Sequence, residues 1–401
     1  MSDDPMIAKM CAWWFQKQAL DGSMTGCDSG TLLRRSGWSR SVGGCGPYLT
    51  LFARGRVRRA EADDALAMLS IQELPCARGC TYVVPREEYA LALAAGRAMG
   101  ESGDIVTAKR FLGVTEQEIG AVADGIVAAL ASEPLDPAAL KKALGAVVRN
   151  LGEAGKKRGV TTTLPLALGR LQTTGKIRRV PMNGRIDQQR YAYALWDGDI
   201  DFGKYEGSDP FLELAERYFR WIGPASIASF QGFAGVGVKA ARELAGILGL
   251  RPISEGSDLL ILPDELAAYR DFETPAESRF ALVSSLDSLL LHRRDIRSIL
   301  APADLNKRVV SDKGPVEVGS LAELSYNAIV DRSRLIGLWE YDSEAAEIVW
   351  ATFQPAHESL RATILETEAF IRDQMGDARS FSLDSPKSRK PRIDALRAAR
   401  W

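Results

Sequence analysis

Asp136-Pro137 and Asn183-Gly184 bracket the stretch that most narrows the folds open to this chain. Asp136 is a natural helix cap, because its carboxylate accepts from the free first-turn amides, and proline is tolerated at the first helical position. A helix is therefore expected over 138–151. The basic turn Gly155-Lys156-Lys157-Arg158-Gly159 follows, then a second helix over 161–171 that ends at Thr173-Thr174-Gly175. Two short strands, 176–181 and 190–194, flank Met182-Asn183-Gly184-Arg185, where Asn-Gly signals a hairpin. Helix, turn, helix and hairpin is the order of a winged helix, as against an ordinary helix–hairpin packing unit. In a winged helix the second helix, entered at Thr161-Thr162-Thr163, sits in a major groove with its first amides on phosphates. Arg178, Arg179 and Arg185 on the wing then reach the backbone or the neighbouring minor groove.

Charge points the same way once it is divided. The 401 residues carry a net charge of −1, which read whole argues against nucleic acid. Yet residues 29–60, 141–190 and 385–401 together hold +22, and the remainder −23. Separated basic clusters in an acidic protein are the footprint of a phosphate-tracking surface; solvated faces that only aid solubility are the alternative. Hydrophobic residues make up 46%, enough for a real core and too many for a disordered chain. No apolar run approaches the ~20 residues of a membrane span. Met1-Ser2-Asp3-Asp4-Pro5 lacks the basic and apolar regions of a signal peptide, so a cytoplasmic, nucleoid-associated protein is expected. Five scattered cysteines suit reduced thiols. Two histidines, His292 and His357, leave little room for a histidine-rich metal site or triad.

The remaining chain divides by its breakers. Residues 1–131 form an N-terminal helical and winged-helix unit, with helices near 28–36, 47–54 and 61–71 and an extended Cys80-Thr81-Tyr82-Val83-Val84. Residues 132–200 are the winged helix with the basic wing, and 201–274 a second winged-helix-like unit. Residues 275–375 are a C-terminal α/β region with a helix at 276–300 and strands at 326–330, 334–341 and 347–353. A basic tail occupies 376–401. The fold class is α+β, mainly helical: tandem winged helices plus a small β-rich C-terminal region. Gly235-Val236-Gly237 partly matches a dinucleotide fingerprint but follows a poor strand, so a helix turn in a winged helix or a helix-hairpin-helix suits it better.

Several blocks carry a family likeness. Pro47-Tyr48-Leu49-Thr50-Leu51-Phe52-Ala53-Arg54, Ala77 to Pro85, Tyr218 to Ala241, Leu282 to Arg294 and Ile329 to Trp339 resemble the winged-helix superfamily of the YcaQ/AlkZ-type crosslink-repair DNA glycosylases. The resemblance implies tandem winged helices around duplex DNA and cleavage of the N-glycosidic bond of alkylated bases, interstrand crosslinks included. In that family the chemistry rests on a Gln-hydrophobic-Gln or Gln-hydrophobic-Asp motif just before the block matching Pro47-Tyr48. A polar pair there orients water against an oxocarbenium-like sugar. This chain diverges: Arg40 and Val42 fall at the matching positions, and Gln16-Lys17-Gln18 lies some two dozen residues too early.

Double-stranded DNA, possibly damaged, is therefore the expected partner, with no membrane, no metal and no cofactor. Arg54, Arg58, Lys156, Lys157, Arg158, Thr161, Thr162, Arg170, Lys176, Arg178, Arg179 and Arg185 are the expected contacts. Ser39, Arg40 and Ser41 are the candidates for any catalysis outside the family motif, and the Gly43-Gly44 loop would let DNA approach closely. A transcription regulator or scaffold without enzymatic activity is the alternative function. Cys76 with Cys80 as a zinc pair, Asp287 with His292 and Asp295 as an acid–base group, and Trp13, Trp14 and Trp221 as stacking platforms weigh less than structural roles.

Overall fold

A computed structural model describes residues 5–311 and 314–399; the acidic start at Met1 to Asp4 lies outside them. One order of elements occurs twice in full and once in reduced form. In the first unit, helix Ser29–Ser36 leads to strand Ser39–Arg40, helices Gly46–Gly55 and Arg59–Ala67, and strands Ile71–Pro75 and Thr81–Pro85. The last strand lies between the other two. The third unit repeats this with helix Pro210–Ile222, strand Ala225–Ser226, helices Ile227–Ala234 and Val238–Ile247, and strands Arg251–Pro252 and Leu259–Ile261, in the same spatial order. In the middle unit, helix Glu116–Ala129 precedes Leu135, which bridges Tyr193; then come helices Pro137–Leu144, Gly152–Lys156 and Leu164–Thr173, and a two-stranded sheet of Ile177–Pro181 and Tyr191–Leu195. Helices Ser29–Ser36, Gly46–Gly55 and Arg59–Ala67 pack on the first sheet, and helices Pro210–Ile222 and Ile227–Ala234 on the third.

The caps are those the residue types demand. Asp28, Asp136, Asp209 and Ser226 each accept from a first-turn amide of the helix that follows. Gly235, left-handed at φ 78°, ends one helix of the third unit three residues before Val238 opens the next, so Gly235-Val236-Gly237 is a helix-to-helix turn. No dinucleotide-type strand precedes it. The middle unit has its own apolar core, built from Ile119, Ile126, Leu140, Leu164, Leu168 and their neighbours. The other two units share cores with the C-terminal region.

That region is a four-stranded antiparallel sheet, in the order Glu347–Thr352, Arg334–Asp342, Asn327–Asp331, Phe280–Val283. The helix expected over 276–300 does not form there. Phe-Ala-Leu-Val instead pairs with Asn327–Asp331 along the sheet edge, and only the short turn Ser288–Leu291 is α-helical. Tertiary pairing of an apolar run overrides its local preference. The helix expected over 138–151 stops at Leu144, where Gly145 turns to φ 52°, and the second helix starts at Leu164 rather than 161. Residues 386–398 are a docked helix rather than a basic tail. Buried Arg389 bonds Asp377, Arg392 bonds Glu340 and Arg397 bonds Asp342 and Glu347, which fixes this helix on the sheet.

Candidate functional site

Of the two positions matching the family's motif, Arg40 lies on the short edge strand of the first unit and Val42 in the loop just after it. Ser39 pairs with Val83 and Arg40 with Tyr82, so successive side chains alternate between faces. The half-buried Arg40 guanidinium lies 5.4 Å from the Tyr82 ring centroid and donates to the Thr81 carbonyl at 3.2 Å. Ser39 and Ser41 are buried on the other face. Ser39 donates to Thr50 at 3.3 Å, and Thr50 to Asp287 at 3.2 Å. Ser41 donates to the Glu73 carboxylate, which also accepts from the Tyr191 hydroxyl at 3.2 Å. Burial pushes the Glu73 carboxyl above its ordinary range, against the bonds from Ser41 and Tyr191 and the nearby Arg179. Its second oxygen has no partner. Both serines are thus committed inside the protein, and Glu73, absent from the sequence candidates, is the titratable group beside them.

The glycines beyond the strand serve this chain's own backbone. A Cβ on Gly44 would overlap the Ser380 carbonyl, and one on Gly43 would meet Gln189 and Ser382. The Cys45 amide donates to Arg379 at 2.9 Å, and the Ser382 amide to Val42 at 3.2 Å. Residues 379–382 therefore form a strap over the loop where an approach by DNA was expected. The strap also holds the loop between strands Ile177–Pro181 and Tyr191–Leu195: Arg379 donates to the Asp187 carbonyl at 2.8 Å. Arg185, expected on DNA, pairs with Asp187 and donates to the Met375 carbonyl at 3.2 Å, while the Tyr48 hydroxyl accepts from the Ile186 amide at 3.0 Å. This loop is pinned down, not free.

Arg54 is a second correction. It is fully buried and holds Asp287 through two bonds of 2.8 Å, with further bonds to Gln18 at 2.8 Å and Ser288 at 3.0 Å. Burial opposes ionisation of Asp287, yet the guanidinium and the bonds from Leu289 and Thr50 hold its carboxyl below the usual range. Gln18 completes the network by donating to the Ser36 and Trp221 carbonyls at 2.7 and 2.9 Å, so it joins three units structurally. His292 is buried against Trp221 and Phe233, its pKa driven down to about 3 by desolvation. Gly37, at φ 99°, lets it pack: a Cβ there would lie 2.9 Å from the imidazole. Asp287, His292 and Asp295 are not an acid–base group, since Asp287 is paired and Asp295 accepts from the Ser298 amide.

The other expected contacts separate into two sets. The Leu164–Thr173 helix is mostly buried, packed against helices Glu116–Ala129 and Tyr89–Ala98 and strand Ile71–Pro75, so it does not project as a groove reader. Its Arg170 is held by Glu101 and Glu116. Arg179 donates to Gln172 at 2.8 Å, lies 5.0 Å from the Tyr191 ring centroid, and lines a cleft of about 590 Å³ with Thr81, Arg97, Glu101 and Arg170. Arg58 is exposed and clamped to Glu61; Arg178 is half-buried. Thr162 is half-buried and its segment bridges Asn150. Lys156, Lys157, Arg158, Thr161 and Lys176 are exposed. Lys156 and Lys176 reach Glu153 and Asp199 only at 3.6 and 3.8 Å. Exposed Lys141 and Lys142 stand on the preceding helix.

Cys76 and Cys80 are free, and no cluster of three metal-ligating side chains occurs among the described residues. Trp13, Trp14 and Trp221 are buried, and their indole N–H groups donate to the Gly223, Pro224 and Arg34 carbonyls. No described helix is long and apolar enough to cross a membrane.

Helical units with small antiparallel sheets, joined to a four-stranded sheet, make this an α+β protein that is mainly helical. The family model for DNA glycosylase AlkZ-like proteins matches residues 45–372, so the chain belongs to the AlkZ-like DNA glycosylase family. Among solved structures it is similar to the DNA glycosylase AlkZ of Streptomyces sahachiroi, at 18% identity and a TM-score of 0.67, over 94% of this chain and 98% of that one. That likeness is one of fold. No curated protein matches the chain.

Proposed function

We propose that this chain binds duplex DNA carrying alkylated bases through tandem winged helices, without the water-holding pair its family uses. The observation that carries the reading is one topology, helix–strand–helix–helix–strand–strand with the last strand central, found in the first and third units and approximated in the middle one, where the Leu135–Tyr193 bridge stands for the first strand. That is the arrangement of a winged helix, and it recurs here within a family of DNA glycosylases. Lys141, Lys142, Lys156, Lys157 and Arg158 supply the exposed cations of the middle unit. Arg40 and Val42 cannot hold a water as a glutamine pair does: one is a permanent cation, the other apolar.

A gel-shift titration on alkylated and plain duplexes tests it. Affinity should fall steeply with salt, and a Lys156→Glu/Lys157→Glu/Arg158→Glu variant should reduce the log–log slope by about 2–3. A flat salt response in the parent protein refutes the reading. Release of 7-methylguanine should stay at the rate of protein-free DNA. A second reading, excision by a set outside the family motif, is favoured by Glu73, a buried carboxylate bonded to Ser41 beside Arg40. Release that disappears in Glu73→Gln while duplex binding persists would establish it. A sequence-specific footprint on undamaged DNA would favour a regulator instead.

A further inference from the structure

We infer that Phe381 and Leu383 form an apolar wedge that enters the base stack of duplex DNA at a lesion. The inference rests on the duplex-binding reading above and adds the element that senses an opened stack. Residues 379–384 lie beyond the part of the chain matched by the family model. They cross the loop that follows Arg40 and Val42, the positions of the family's motif, through the Val42 carbonyl and the Cys45 amide. Any base presented to that strand comes up beside this strap.

The strap is rigid. One Asp384 carboxylate oxygen accepts from the Ser380 and Phe381 amides, both at 3.2 Å. The Asp384 amide returns a bond to the Phe381 carbonyl at 3.1 Å, and the Ser382 amide is spent on Val42. Ser380 is anchored below by the Ser285 hydroxyl at 3.2 Å. From this fixed turn Phe381 projects 44% exposed and Leu383 93% exposed. One exposed leucine is ordinary. Two large apolar side chains within three residues, on a turn whose amides are used up holding its shape, form a preorganised probe. Half-buried Arg379 and exposed Lys387 and Arg190 supply cations near it along the chain or across the wing. Apolar side chains of this kind insert between base steps where stacking is already weakened, and a base drawn out of the duplex leaves such a gap.

The test is fluorescence anisotropy with the full chain at one salt concentration. The two probes are an intact duplex and the same duplex carrying one tetrahydrofuran abasic site. The parent protein should prefer the abasic duplex by about tenfold, and Phe381→Ala/Leu383→Ala should bring that ratio to about one while affinity for the intact duplex stays within about twofold. Both side chains are exposed, so the variant should fold, and an unchanged melting curve checks this. A preference that survives in the variant, or is absent in the parent, overturns the wedge alone. No binding of either duplex overturns the duplex-binding reading as well.

Discussion

Gly44→Ala makes the strap's attachment measurable. The new methyl group would overlap the Ser380 carbonyl, which is backbone and cannot rotate aside. Gly44 is not among the positive-φ glycines, so the effect is steric and not one of backbone strain. To admit the methyl, the strap must give up the Cys45–Arg379 and Ser382–Val42 bonds. At about 1 kcal/mol each these amount to about 2 kcal/mol, within the usual 1–3 kcal/mol cost of overpacking. Two kcal/mol raises the detached population about thirtyfold. Trypsin cleavage after Arg379 reads that population, because cleavage follows the open fraction when opening is fast. Cleavage should therefore accelerate about thirtyfold, ahead of any cut in the middle unit. Gly120→Ala is the control, since a Cβ there meets nothing within 4 Å. It should leave the Arg379 site as slow as in the parent. Equal cleavage of Gly44→Ala and parent would show that the strap is not held by this contact.

Two further outcomes concern the buried network. Asp287→Ala strands the Arg54 guanidinium inside the protein and should cost about 3–5 kcal/mol in urea unfolding, with Arg54→Met in the same chain recovering part of it; a loss under 1 kcal/mol would mean the pair is dispensable. His292, with its pKa lowered from 6.5 to about 3, binds no proton over a range where the unfolded chain does. Stability is then fully present above pH 6.5 and falls as the pH drops toward 3, by about 1.4 kcal/mol per unit. His292→Phe should flatten that slope, and an unaltered slope would place its origin elsewhere.

Much of the architecture is written locally. Asp136-Pro137 does open a helix, Asn183-Gly184 does lie between paired strands, and the strands at 326–330 and 334–341 turn at Asp331-Arg332-Ser333. These are short-range rules, satisfied within a few residues. The site was less legible because its partners are remote. The basic clusters at 29–60 and 385–401 owe much of their charge to arginines that meet acids far along the chain: Arg54 with Asp287, Arg56 with Glu366, Arg392 with Glu340. A charge run read along the sequence therefore overstates what faces solvent. Gln18, set aside as a coincidence of letters, has its role fixed by Arg54, Trp221 and Ser288. Gly43 and Gly44, expected to admit DNA, instead admit residues 379–382 of the same chain. No local rule distinguishes a strap from a ligand.

The first helix, Pro5–Lys17, bears on how the chain is made. Its indoles bond carbonyls at Gly223 and Pro224, Lys9 bonds the Arg270 carbonyl, Lys17 pairs with Glu265, and Cys11 donates to Ser298. On a ribosome adding about 5–20 residues per second, this helix is made some tens of seconds before the last of these partners. Until then Met10, Trp13 and Trp14 have no surface to cover them. The nascent protein thus carries an apolar helix without these partners while residues 18–298 are made, a natural handhold for a chaperone. The helix then seats as a late closing bolt across units that have already folded.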